Sequence, residues 1–467
     1  MIDIHELATR LPQGFRLGTS TAAYQIEGGV ADGGRGRSIW DAFTHEPGHV
    51  INNENGDVAI DHYHRLEEDL DYIADLGAPD YRFSISWSRV LPTGRGELNP
   101  EGIAFYDRLV DGLLERGIRP CPTLFHWDLP EVLQQEGGWM NRDTCTAFAS
   151  YARLMAEHFG DRVQRWATMN EMSVHSLYGH ALGSHAPGLQ MGLGAMAVVH
   201  RLLLAHGMAV QAIREVAPYA EVGVVNQNFP VIPASDSPED LQAAGMFDLV
   251  TNQVFVHPIL TGEYPVTDVY ALMTDSPEQI AADLAIISTP IDFYGLNYYE
   301  PTVIEAPKAG KDYSGNLEVD IPADMPFQPV PYASAERTDF GWAVAPEGLT
   351  RILLHLHETY PNLPPVTVTE NGASYHDVPA ADGSIDDQAR IRYLAQHIAA
   401  CADAIDAGVD VRGYYCWSTF DNFEWAAGYQ ERFGLIYVDY ETLKRTPKAS
   451  YAWYRDLARA LRGSSSL

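Results

Sequence analysis

Two glutamates, Glu171 and Glu370, are placed for acid–base or nucleophilic work. Each follows a short apolar run, residues 163–170 in one case and 365–369 in the other, and the residue before it is an amide or a small hydroxyl, Asn170 or Thr369. A carboxyl group at the end of a buried strand projects from the rim of a sheet. Two such groups facing each other are what glycosidic cleavage needs. One donates a proton to the leaving oxygen, and the other attacks the anomeric carbon or activates water. Residue types alone leave a second reading open, in which either glutamate is a structural ion-pair partner with Arg82 as its mate.

The elements that must position this pair recur along the whole chain. Short apolar runs that read as buried strands lie at 15–21, 80–87, 120–127, 163–170, 221–226, 291–298, 365–369 and 411–417. Amphipathic stretches at helical period separate them, such as Ile103, Phe105, Tyr106, Leu109, Val110, Leu113 and Leu114 after the second run, and Phe148, Tyr151, Leu154, Met155 and Phe159 after the third. Alternating strand and helix without a linker predicts one α/β domain over residues 1–467, a single (β/α)8 TIM barrel. The polar stretches 30–57 and 301–337 are too long for simple connections and read as loops inserted at the C-terminal face. The last residues, 463–467, read as a disordered tail.

In such a barrel the chemistry sits at the C-terminal ends of the strands. Those ends supply Gln25, Arg82, His126-Trp127-Asp128, Asn170-Glu171, Asn226-Gln227-Asn228, Asn297-Tyr298-Tyr299, Glu370-Asn371-Gly372, Trp417, and the loop Asp421 to Trp425. Amides and carboxylates hydrogen-bond vicinal hydroxyls, and indole faces pack on the C–H faces of a pyranose, so the rim suits a sugar. His62 and His64 are two residues apart at a helix start and point different ways, which predicts solvated or capping side chains. No metal-binding motif competes, and no cofactor or metal is expected.

Bulk properties narrow the partners. The formal charge of −32 argues against nucleic acid and anionic membrane surfaces. The N-terminal residues carry no basic start followed by an apolar run, and the apolar stretches are broken by Gly, His and Arg before they reach about 20 residues. Cys121, Cys145, Cys401 and Cys416 are scattered in apolar segments, as reduced thiols of a cytoplasmic protein would be. Whether the chain forms a homo-oligomer is left open.

Specific segments carry a family resemblance over nearly the whole chain. They are FRLGTSTAAYQIEGG from Phe15, YRFSISWSRVLP from Tyr81, FHWDLPEVL from Phe125, WATMNE from Trp166, HAPG from His185, FYGLNYY from Phe293, VTENG from Val368 and WSTFDNFEWAAGYQERFGL from Trp417. In this ordered set the sequence resembles the β-glucosidases of glycoside hydrolase family 1. The resemblance implies a retaining β-glucosidase acting on small β-glucosides or oligosaccharides. Glu370 would be its nucleophile and Glu171 its acid/base. It further implies that Arg82, Asn297 and Tyr299 orient the nucleophile. Gln25, His126, Trp127, Asn170, Trp417, Glu424, Trp425 and Phe433 would hold the sugar, and Ser173 and Trp342 would lie on the aglycone side.

The chain departs from the family after the acid/base. Met172 and Ser173 stand where the family has Pro-Trp, which predicts a wider or less apolar mouth that admits bulky aglycones. A phospho-β-glucosidase on the same barrel is the nearest alternative, and Glu424 beside the sugar 6-position argues against it by like-charge repulsion. A transglycosylating β-glycosidase with mixed glucosidase, galactosidase and fucosidase activity shares the covalent intermediate and remains open.

Overall fold

The computed structural model describes residues 2–333 and 336–464. All eight predicted runs form strands: β1 Arg16–Ser20, β2 Asp80–Ser84, β3 Arg119–Phe125, β4 Arg165–Asn170, β5 Glu221–Gln227, β6 Phe293–Asn297, β7 Val366–Asn371 and β8 Val411–Trp417. They close into a barrel in the order β1-β8-β7-β6-β5-β4-β3-β2. A helix precedes each next strand: α1 Leu66–Leu76, α2 Pro100–Glu115, α3 Arg142–Phe159, α4 Met196–Val216, α5 Pro277–Ile287, α6 Pro346–Thr359 and α7 Gln388–Asp406, with α8 Ala449–Ser464 after β8. Gly463 and Ser464, assigned to a tail from sequence, finish α8, and residues 465–467 lie outside the described residues.

Local chemistry explains these elements. Helix α2 starts with Pro100 in its first turn, where a missing N–H costs nothing. It buries Ile103, Phe105, Tyr106, Leu109, Val110 and Leu113 against the barrel. Leu114, expected on that face, is 39% exposed, because one residue past Leu113 turns the side chain by about 100°. The segment Gly192–Val216, which includes α4, has the length and composition of a membrane span, yet the protein itself buries most of it. The four cysteines are free and buried.

At the N-terminal end of the barrel, Asp80 accepts hydrogen bonds from Arg16 Nε (2.8 Å), Arg119 Nε (2.5 Å) and Tyr415 Oη (3.0 Å). That cluster plugs the end opposite the rim and reads as stability rather than function. His62 overturns the expectation of a solvated or capping side chain. It is buried, with Nδ1 2.7 Å from Asp69, and Asp69 also accepts from Arg445. The chain turns inward before α1, so His62 joins a buried ion network.

Both predicted insertions lie at the C-terminal face. In residues 30–57 a helix, Ile39–Thr44, is fixed by a capping box between Ser38 and Asp41, and it places Trp40 4.5 Å from Trp425 between ring centroids. Residues 301–337 contribute Thr302–Glu305 and Gln328–Val330 to a small sheet whose third strand is Val231–Pro233. That strand belongs to a third insertion, after β5, which sequence reading missed. Three residues, the last of them Pro233 and with Pro230 just before, give too short a period to detect.

Gly372 shows how tightly the rim closes. A Cβ built on it would lie 1.6 Å from the carbonyl oxygen of Trp417, so β7 and β8 come together only around a glycine. Gly372→Ala should cost at least about 2 kcal/mol in urea unfolding. Gly245→Ala, on a helix with open space around it, should be neutral or stabilising by up to about 1 kcal/mol.

Candidate active site

The end of β2 begins the site. The guanidinium of Arg82 is buried and donates from Nη1 to Glu370 Oε1 (2.5 Å), from Nη2 to Asn170 Oδ1 (2.7 Å) and from Nε to Thr123 Oγ1 (3.0 Å). Tyr299 Oη donates to the other oxygen of Glu370 at 2.9 Å. Both oxygens of Glu370 are therefore held, and its carboxyl plane is fixed.

Glu171 sits differently. Its backbone adopts φ 45° as the chain turns from β4 into the short helix Met172–Ser176. Its hydrogen-bond partner is Asn297 Nδ2, 2.8 Å from Oε1. Burial pushes its carboxyl well above the ordinary 4.5, the negative charge of Glu370 pushes it further, and Asn297 and Arg82 partly oppose the rise. One carboxyl is clamped by a cation and a phenol, and the other is driven towards its protonated form.

Asn297 corrects one expectation, since it touches Glu171 rather than Glu370. Both oxygens of Glu370 are taken, and Asn297 Oδ1 accepts from Thr369 Oγ1 at 2.7 Å. Its amide nitrogen is left facing Glu171 and Asn170, the latter at 3.1 Å.

A chain of hydrogen bonds then fixes a histidine. Asn170 Oδ1 accepts from Arg82 and Asn297, so Asn170 Nδ2 is the donor to His126 Nε2, at 3.1 Å. Burial and the nearby Arg82 charge push His126 well below the ordinary 6.5, so the ring is neutral and Nδ1 carries the hydrogen. That N–H is buried without a protein partner and offers a donor to a ligand.

The opposite wall is the loop after β8. Asp421 anchors it by accepting from Lys448 Nζ (2.7 Å), Arg432 Nη1 (2.8 Å) and the Gly434 amide (2.9 Å). Glu424 hangs from this loop with a single side-chain partner, Gln25 Nε2 at 3.3 Å. Burial, then the charges of Glu318 and Glu431, push its carboxyl well above the ordinary value. Gln25 also donates from Nε2 to the Phe423 carbonyl at 2.8 Å, and its own Oε1 is unpaired among the described residues. Trp417, Trp425, Trp127 and Phe433 enclose the space, and Trp127 and Trp425 lie 4.7 Å apart at φ values of 73° and 49°.

The predicted residues thus converge on one cleft, lined by His126, Trp127, Glu171, Tyr299, Trp342, Glu370, Trp417, Glu424, Trp425 and Phe433. Ser173 lines a neighbouring cavity instead. Val174, Tyr178, His185, Gln227 and Glu318 also line the cleft. His185 stands in the quoted HAPG segment and Gln227 at the end of β5, which were usable signals, whereas Tyr178 lies in the π-helical turn Leu177–Leu182 and Glu318 in an irregular loop, both without one. Among the described residues the cleft lining contains no Lys or Arg.

A closed parallel barrel carrying paired carboxyls among amides and indoles at its C-terminal rim is the architecture of a glycoside hydrolase. The chain belongs to Glycosyl hydrolase family 1, whose family model matches residues 7–462. It is 44% identical over 451 residues to β-glucosidase A of Thermotoga maritima, covering 96% of this chain and 98% of that protein. It is 45% identical over 458 residues to a β-glucosidase of an Agrobacterium species, covering 98% and 97%. A solved T. maritima β-glucosidase in complex with deoxynojirimycin superimposes with a TM-score of 0.90 at 43% identity, covering 97% of this chain and 99% of that one.

A carboxyl whose pKa rises on folding holds its proton more tightly in the folded state. Its contribution is intact below the ordinary value and is lost as pH climbs through the raised one. Glu171→Gln, which mimics the protonated form, should leave Tm nearly unchanged at pH 4 and raise it by about 2 °C or more at pH 9, read by calorimetry. An equal Tm difference at both pH values would contradict the raised pKa.

Proposed function

We propose that this chain hydrolyses terminal non-reducing β-D-glucosyl residues of small glucosides and oligosaccharides, with retention of configuration. The observation that carries the reading is the asymmetry of the two carboxyls. Glu370, held through both oxygens by Arg82 and Tyr299, is the nucleophile. Glu171, pushed towards its protonated form, is the acid.

In the first step Glu370 attacks the anomeric carbon while Glu171 gives its proton to the leaving oxygen. Ester formation removes the charge of Glu370, so the pKa of Glu171 falls and it becomes the base that activates water for the second step. Asn170 Nδ2 keeps one hydrogen beyond its bond to His126 and offers it to the sugar 2-hydroxyl, where contacts tighten in the oxocarbenium-like transition state. His126 Nδ1, Gln25 and Glu424 hold other hydroxyls. Trp417, Trp425, Trp127 and Phe433 pack on the ring, and Trp342 faces the aglycone.

A glucose 6-phosphate is disfavoured because no Lys or Arg lines the cleft among the described residues. The raised pKa of Glu424 makes this missing cation a stronger objection than like-charge repulsion. The reading places the enzyme in the cytoplasm, in keeping with its four buried free thiols.

Glu370→Ala should lose about four or more orders of magnitude in kcat, and azide should restore turnover with an α-glycosyl azide as product. Glu171→Ala should retain glycosylation by 2,4-dinitrophenyl β-glucoside far better than by cellobiose, because a good leaving group needs no proton. A β-glycosyl azide from the first variant, or equal losses on both substrates in the second, would refute the assignment.

A further inference from the structure

Thr369, one residue before Glu370, carries a buried hydroxyl that does not line the cleft. Strand β7 shifts register there. Val368 pairs with Leu296 of β6 and Glu370 with Asn297, so Thr369 has no partner across that ladder. The register towards β8 shifts over the same residues, between Val368 and Asn371. A bulge of this kind re-aims a side chain, and bulges occur often beside active sites. Here Thr369 Oγ1 is aimed at Asn297 Oδ1, to which it donates at 2.7 Å. The Thr369 carbonyl accepts from Ser20 Oγ at 2.8 Å, which ties the bulge to β1.

Asn297 is buried, and both ends of its amide are engaged. Nδ2 donates to Asn170 Oδ1 at 3.1 Å and to Glu171 Oε1 at 2.8 Å. Asn170 Oδ1 also accepts from Arg82, so the atom of Asn297 that faces it is the nitrogen. That leaves Asn297 Oδ1 as a buried acceptor, and Thr369 supplies its donor. The amide plane is pinned at both ends. The consequence falls on Glu171. A neutral carboxyl accepts an N–H best on its carbonyl oxygen and carries its proton on the other oxygen. That other oxygen, Oε2, has no hydrogen bond among the described residues, and Glu171 lines the cleft.

We propose that Thr369 is a positioning residue for proton transfer: through Asn297 it keeps Oε1 of Glu171 occupied, so that the acid proton stands on Oε2, free to meet the leaving oxygen. The inference rests on the glucosidase reading and deepens it. The proton passes from Oε2 to the glycosidic oxygen as the bond from that oxygen to the anomeric carbon breaks. The bonding pair leaves with the oxygen, and Glu370 supplies a new pair to the carbon. The N–H on Oε1 also favours the ionised form of Glu171, against the rise from burial and Glu370. The other groups that face Glu171 are Arg82, Glu318, Tyr178, Tyr299 and Glu424. An isosteric change at Thr369 leaves all of them in place. Loosening the N–H therefore raises the pKa of Glu171 and frees Oε1 as a competing site for the proton.

Thr369→Val removes the hydroxyl and keeps the branched shape, whereas Thr369→Ser keeps the hydroxyl. In Thr369→Val the basic limb of kcat/KM on cellobiose should move to higher pH by about half a unit or more. Below that limb its kcat/KM should fall at least about fivefold on cellobiose and less than about twofold on 2,4-dinitrophenyl β-glucoside, whose leaving group needs no proton. Thr369→Ser should retain the wild-type limb and substrate ratio. Thr369→Ala, which also removes the hydroxyl, serves if Thr369→Val does not fold. Infrared titration of the Glu171 carboxyl, read as the difference from the same protein carrying Glu171→Gln, should show the same upward shift independently of turnover. An unmoved limb with equal losses on both substrates would overturn the proposal, as would a shift in Thr369→Ser as large as in Thr369→Val. An upward infrared shift in Thr369→Val when the wild type cleaves neither glucoside would instead overturn the glucosidase reading and leave the placement of the Glu171 proton standing.

Discussion

The guanidinium of Arg82 organises the mouth of the barrel. From one side chain on β2 it reaches Thr123 on β3, Asn170 on β4 and Glu370 on β7. Burying a cation and a carboxylate together costs several kcal/mol per ion before their attraction is counted. The pair persists because each guanidinium nitrogen finds an oxygen and each carboxylate oxygen finds a donor. Removing either member would leave the other charge stranded. The rim geometry is therefore locked by an electrostatic requirement as much as by strand pairing.

Much else at the rim follows from that lock. Asn170 is oriented by Arg82, His126 takes its tautomer from Asn170, and Asn297 is left to face Glu171. The positive φ values of Trp127, Glu171 and Trp425 each cost about 1–3 kcal/mol. They are tolerated because the surrounding bonds and ring contacts fix the side chains more firmly than the backbone resists. Buried carboxyls crowded near one another at Glu171, Glu370 and Glu424 add to that cost. The salt cluster below the loop after β8, in which Lys448 joins Asp377 to Asp421, supplies compensating order.

How far the sequence exposes this depends on what each part is made of. The eight strands were legible because buried parallel strands are continuous apolar runs bounded by polar residues. The paired glutamates and most of the residues that converge on the cleft were legible because they sit at the ends of those runs. Asn297 was assigned to the wrong glutamate because strand position fixes where an amide stands, but not which of two carboxyls has a free oxygen. His62 was misplaced because its partner Asp69 lies seven residues on, in the first turn of α1, and the arginine that completes the network through Asp69, Arg445, is remote in sequence. Glu318 was missed because an irregular loop carries no period, and Tyr178 and the strand Val231–Pro233 because a single π-helical turn and a three-residue strand are too short to show one.

That division also separates two parts of the site. The carboxyls Glu171 and Glu370 stand at strand ends, where parallel pairing sets positions to within a register step. The neighbouring cavity is built from the turn after β4, the insertion after β5 and the loop 301–337, whose packing against one another creates a space that no single segment encodes. Leu177, Val250 and Met325 line that cavity without filling it, between the π-helical turns Leu177–Leu182 and Leu249–Gln253 and the three-stranded sheet. The groups at the strand ends can therefore stay fixed while the apolar cavity beside them changes with the loops.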